Sequence, residues 1–110
     1  MDLTHGQPAA NVKIELSYLT KSSVRNPLKT ATTNADGRID HPLLTADEMK
    51  AGEYELLFHI GDYFRKKELN LKEPLFLDKV AVRIGIADPH SHYHVPLLIS
   101  PWGYQVYRGS

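Results

Sequence analysis

The chain has no cysteine. Disulfides, thiol nucleophiles and cysteine-ligated metals are therefore ruled out, while the redox compartment stays open. It also lacks an excess of charge of either sign, because thirteen Lys and Arg offset thirteen Asp and Glu. Without a broad positive field, binding to phosphate backbones has no electrostatic basis, and nucleic acid is not an expected partner. Near-neutrality offers little repulsion between copies, which is compatible with self-association. Long apolar runs are missing too. None approaches the ~20 residues of a membrane-spanning helix, and the start lacks the basic-then-apolar pattern of a secretory signal. No membrane association and a cytoplasmic location are expected. What remains is ordinary for one folded domain over residues 1–110: 42% hydrophobic and 24% charged residues, with no repeat or linker to divide it.

Alternation dominates the chain. Val12, Ile14, Leu16 and Tyr18 oppose Asn11, Lys13, Glu15 and Ser17, the period-two pattern of a half-buried strand. Residues 28–33 read as a second strand, ending at Asn34-Ala35-Asp36-Gly37, whose turn chemistry predicts a hairpin with Arg38 just past its tip and Arg38-Ile39 extended again. Thr45-Ala46-Asp47-Glu48 has capping-box spacing, with Leu44 and Met49 as a staple and Gly52 closing a helical turn or two. Residues 53–60 predict a strand. Asp62 is placed to cap a short helix over residues 63–70, with Arg65-Lys66-Lys67 as its solvated face. Val80, Val82, Ile84 and Ile86 restore the alternation until Asp88-Pro89, and residues 92–99 and 104–107 read as strands around Ser100-Pro101-Trp102-Gly103. Roughly six to eight short strands with one small helix indicate an all-β sandwich.

Three of the six histidines, His90, His92 and His94, fall at alternate positions, so in an extended strand they share a face. Three readings stay open. Imidazoles from one face can converge on zinc, although His90 follows Pro89 in a turn and need not be in register. A His-rich loop end can equally be polar and solvated. The third reading is general acid–base catalysis, since imidazole ordinarily titrates near ~6.5 and can take a proton from water if a cation holds the substrate opposite. Arg38 is the candidate cation, against the plain alternative of a surface arginine after a turn. Its guanidinium offers paired donors matching an oxygen-rich heterocycle or a developing oxyanion. The terminal Tyr107-Arg108-Gly109-Ser110 has the alternative of a frayed end.

The segment His92-Tyr93-His94-Val95-Pro96-Leu97-Leu98-Ile99-Ser100-Pro101, then Trp102-Gly103-Tyr104 and Tyr107-Arg108-Gly109-Ser110, resembles the C-terminal signature of the 5-hydroxyisourate hydrolases, transthyretin-like enzymes of urate breakdown. Asp2-Leu3-Thr4-His5-Gly6-Gln7-Pro8-Ala9 resembles their first strand and following turn, and Asp36-Gly37-Arg38 their Asp-Gly-Arg segment. The resemblance spans the chain. It implies a transthyretin-like two-sheet β-sandwich of about eight strands, assembled as a homotetramer with sites where dimers meet. It implies hydrolysis of 5-hydroxyisourate, a small molecule of purine metabolism, to 2-oxo-4-hydroxy-4-carboxy-5-ureidoimidazoline, with no cofactor and no metal. Carried over residue by residue, Arg38 holds and polarises the substrate and His94 activates or positions water. Ser110 belongs to the catalytic set, and Tyr107 and Gly109 line the substrate. The alternative is a non-catalytic transthyretin-like tetramer that binds a small ligand, against which the tail argues because it would narrow an open channel into pockets.

One departure stands out. Members of the family carry a further histidine in a Thr-His-x-Leu-Asp segment whose Asp matches Asp2, and this chain has Met1 immediately before Asp2. His5 is not that residue, because it lies beyond Asp2-Leu3. Two readings follow, a first strand shortened at its start or a degenerate member of the family; the expectation is the shortened start, with a lower rate for this form.

Overall fold

Residues 13–19 extend as their alternation predicts, and in the computed structural model they become the second strand of a four-stranded antiparallel sheet. All residues are described except Ser23, His41, Pro42, Thr45, Ala46, Glu68, His92, Gly109 and Ser110. In chain order the elements are β1 (Lys13–Leu19), β2 (Arg25–Thr32), β3 (Gly52–Phe58), α1 (Ile60–Arg65), β4 (Val80–Ile86), β5 (Leu97–Ser100) and β6 (Gly103–Val106). One sheet has the order β2-β1-β3-β4; the second pairs β5 with β6. The N-terminal segment joins the second sheet through a parallel bridge from Asp2 to Ile99.

The inward faces meet as expected for a sandwich. Ile14 and Leu16 of β1, Tyr54, Leu56 and Phe58 of β3, Val80 and Ile86 of β4 and Ile99 of β5 form one buried cluster. Tyr18 extends it, packing edge-on to Tyr54 with ring centroids 5.1 Å apart, a geometry aromatic pairs favour.

Six strands rather than about eight form among the described residues. The N-terminal segment contributes only isolated bridges, Asp2 to Ile99 among them, and the strand expected over residues 92–99 begins at Leu97. Asp88 folds the chain into a turn, with Ser91 N–H donating to the Asp88 carbonyl at 3.1 Å, and Pro96 has no N–H for a ladder. The expected hairpin at Arg38 is also different. β2 pairs with β1 instead, and Asn34 N–H donates to the Arg38 carbonyl at 2.6 Å, closing a loop where an extended path was predicted.

The helix starts earlier and ends sooner than predicted. Ile60 and Phe64 are fully buried and Tyr63 nearly so, so apolar spacing at i, i+3 and i+4 draws residues 60–65 into the core. His59 precedes the helix with no side-chain cap bond, and Asp62 lies inside the first turn. Its carboxylate meets Arg65 at 2.8 Å, and Arg65 also meets Glu73 at 2.8 Å. The basic cluster is thus more than a solvated face. Of the expected capping box, Thr45 and Ala46 lie outside the described residues, and Glu48 pairs with Lys29 of β2. No helix among the described residues is long and apolar enough to cross a membrane.

Candidate functional site

The N-terminal segment lies along β5. The Met1 ammonium donates to the Leu97 carbonyl at 2.7 Å, Ile99 N–H to the Met1 carbonyl at 2.9 Å, and Leu3 N–H to the Ile99 carbonyl at 2.8 Å. Asp2, between them, is fully buried. A buried carboxylate persists only if its oxygens are satisfied, and here they are. Oδ1 accepts from Thr4 N–H at 2.9 Å and His5 N–H at 3.3 Å; Oδ2 accepts from the Tyr63 hydroxyl at 2.7 Å and meets His5 Nδ1 at 2.5 Å. Burial alone would raise the Asp2 carboxyl, but these hydrogen bonds and the His5 charge outweigh it, leaving the carboxyl below its ordinary range. Burial, and then the Asp2 acceptor, push the Tyr63 hydroxyl up to about 12.

The loop carrying Arg38 packs beside this segment. Gly37 has φ +75°, a left-handed conformation, and a Cβ there would lie 3.2 Å from both Ala9 N and Pro8 Cβ. Only glycine suits both the conformation and the close approach. Met1, Pro8, Asp36 and Gly37 line a pocket of about 240 Å³. Arg38 itself is exposed at the loop's end.

The histidine segment enters from the other side. Asp88 caps it: His90 N–H donates to Oδ1 at 2.9 Å and the Ser91 hydroxyl to Oδ2 at 2.8 Å. The backbone bond from His90 is the main cause holding the Asp88 carboxyl below its ordinary range. His90 therefore sits in a turn and not in one extended strand with His94; His92 lies outside the described residues. His94 follows as an exposed residue.

Tyr107 N–H donates to the Pro96 carbonyl at 3.4 Å, and the Arg108 guanidinium stacks over the Tyr93 ring at 4.4 Å, within cation–π range. Gly109 and Ser110, both expected at the site, lie outside the described residues.

Met1 is thus the hub: it touches the Asp36–Gly37 pocket on one side and Leu97 on the other. The Arg38 loop, the strand that follows His94 and the Tyr107 backbone meet around this end of the second sheet. No hydrogen bond or ion pair joins Arg38, His94 and Tyr107 to one another among the described residues. Sequence reasoning missed the Asp2–Tyr63–His5 group, for which no spacing gives a signal. It also missed the stack of Arg108 on Tyr93. The Asn-x-Asp-Gly turn signature includes Asn34, but the bonds of Asn34 to the Arg38 backbone are not legible in it.

A larger hollow of about 360 Å³ lies across β1 and β2 on the far face of the other sheet. Its most buried ionisable group, Glu55, is held between Arg25 at 2.9 Å and Arg83 at 3.1 Å.

The sequence pattern of the HIUase/transthyretin family matches residues 1–109. The chain is 50% identical over its full length to 5-hydroxyisourate hydrolase 2 of Rhizobium meliloti, covering 91% of that protein. It is 54% identical over its full length to the 5-hydroxyisourate hydrolase of Mesorhizobium japonicum, covering 87%. Among solved structures, (S)-allantoin synthase superposes with a TM-score of 0.92 at 39% identity over the whole chain, which spans 41% of that protein. Transthyretin from Sparus aurata superposes with a TM-score of 0.84 at 28% identity, over 99% of this chain and 90% of its own. The chain belongs to the HIUase/transthyretin family.

Proposed function

We propose that this protein hydrolyses 5-hydroxyisourate to 2-oxo-4-hydroxy-4-carboxy-5-ureidoimidazoline. The observation that carries the reading is its full-length likeness to curated 5-hydroxyisourate hydrolases, far above its likeness to transthyretin. That contrast favours an enzyme over a non-catalytic ligand-binding tetramer.

The mechanism we propose uses the residues around the Met1 end of the second sheet. Water attacks the ring amide carbonyl, and His94 accepts its proton, a contribution of about 10²–10⁴ in rate for a positioned base. Arg38 donates to the carbonyl oxygen as it becomes an oxyanion; one such donor is worth about 10²–10³. The carbon–nitrogen bond then breaks, the proton passes to the departing ring nitrogen, and the product carries a new carboxylate. Tyr107, Gly109 and Ser110 line the substrate, with Ser110 as a further polar catalytic group.

A homotetramer belongs to this proposal. Its support is the exposure of Leu3, Trp102, Tyr104 and Tyr107 on the second sheet and the turn beside it, a set of large apolar side chains that association would cover. Light scattering on the purified protein tests it: a mass of one chain would reject it. A cytoplasmic setting is part of the same reading, and cell fractionation checks it. The test of the activity is the decay of freshly generated 5-hydroxyisourate with and without the protein.

A further inference from the structure

We infer that Asn34 is the positioning residue that aims Arg38 at the substrate, an assignment that rests on the hydrolase reading above. Arg38 is exposed, and its guanidinium has no ion-pair or hydrogen-bond partner among the described residues. Side-chain contacts therefore do not set its direction. The backbone of the loop does, and Asn34 organises that backbone.

Thr33, just before it, is anchored to the body of the protein. Its hydroxyl donates to the Ala9 carbonyl at 2.7 Å and accepts from Val12 N–H at 2.9 Å. From this fixed point Asn34 holds both ends of the loop. Its N–H donates to the Arg38 carbonyl at 2.6 Å, and its carbonyl accepts from Gly37 N–H at 2.9 Å. Its side-chain Oδ1 accepts from Asp36 N–H at 2.9 Å and from Arg38 N–H at 3.1 Å, while Nδ2 donates to Asp40 Oδ1 at 3.0 Å. The amide has one orientation only. Turned over, it would set its NH₂ against two N–H donors and its oxygen against a carboxylate.

Asn34 thus grips the amide and carbonyl of Arg38 at once, fixing the peptide planes on either side of its Cα and the direction of Cα–Cβ. The loop is largely exposed and contributes little burial, so this hydrogen-bond set fixes orientation more than it supports the core. Aspartate at this position would keep the oxygen that Asp36 and Arg38 donate to, but would lose the donor to Asp40 and add a third carboxylate beside Asp36 and Asp40.

The experiment compares steady-state hydrolysis of 5-hydroxyisourate by wild type, Asn34→Ala, Asn34→Asp, Arg38→Ala and the double variant Asn34→Ala/Arg38→Ala, with melting temperatures alongside. A misplaced anchoring group costs up to about 100-fold in rate. The expected result is a loss of about 10- to 100-fold in kcat/KM for Asn34→Ala, partial recovery in Asn34→Asp, and no further loss when Asn34→Ala is added to Arg38→Ala. Wild-type kcat/KM in Asn34→Ala overturns the assignment. So does an equal fractional loss in the Arg38→Ala background, because Asn34 would then act independently of the guanidinium. If Asn34→Ala does not fold, Asn34→Asp decides: a loss in kcat/KM that disappears in the Arg38→Ala background supports the assignment, and full wild-type kcat/KM or an equal fractional loss in that background overturns it. An inert wild type overturns the hydrolase reading itself, a distinct outcome.

Discussion

The Tyr63 hydroxyl of α1 donates to the buried Asp2 carboxylate at 2.7 Å, tying the helix on one sheet to the segment that borders β5 on the other. Removing the hydroxyl leaves a buried charge short of a donor. Tyr63→Phe should destabilise the fold by about 1–3 kcal/mol, measured by urea unfolding.

The same pair predicts a pH dependence. Asp2 titrates below its ordinary 3.8, so its contribution is present above that pH and is lost as pH falls through the lower folded value. Tyr63 is raised from 10.0 to about 12, so its contribution is present below pH 10 and is lost as pH rises toward 12. Unfolding followed against pH should show both limbs in wild type. In Tyr63→Phe the alkaline limb should shrink and the acid limb move to higher pH; unchanged limbs would reject the pairing.

Gly37→Ala tests the loop that carries Arg38. At φ +75° a Cβ is strained, and here it also meets Pro8 and Ala9 at 3.2 Å. A left-handed non-glycine residue costs about 1–2 kcal/mol, and the loop should respond by moving off the Pro8–Ala9 turn. The variant should therefore lose activity as well as stability, whereas full activity would mean that the loop's seat is irrelevant to the site.

Arg38→Lys keeps the charge and removes the planar fork. If the guanidinium grips the ring and its developing oxyanion through paired donors, lysine should restore little, with kcat/KM remaining about 10²-fold down. Recovery to near wild type would reduce the role of Arg38 to charge alone.

The strands with clean alternation were legible without coordinates. Ile14 and Leu16 in β1, and Val80 and Ile86 in β4, face the core as their period requires. Turn chemistry located the loop at Asp36-Gly37 but not its partner, because β2 could pair on either side and only the packed sheet selects β1. The start of α1 is not legible in the sequence because Asp62 resembles a cap, whereas burial of Ile60 and Phe64 decides the register. Asp2, Tyr63 and His5 are far apart or unremarkable in sequence, and their cooperation is a product of tertiary packing. The resemblance supplied Arg38 and His94 as site candidates; the fold adds the Met1 hub beside the Arg38 loop and the strand that follows His94.

In the proposed reaction the ring of 5-hydroxyisourate opens with His94 as base. This is tested most directly by generating the substrate with urate oxidase and following its decay with wild type and with His94→Ala. Wild type should accelerate the decay, and His94→Ala should lose about 10²–10⁴ in kcat with the melting temperature nearly unchanged. Decay with wild type no faster than the uncatalysed background would contradict it.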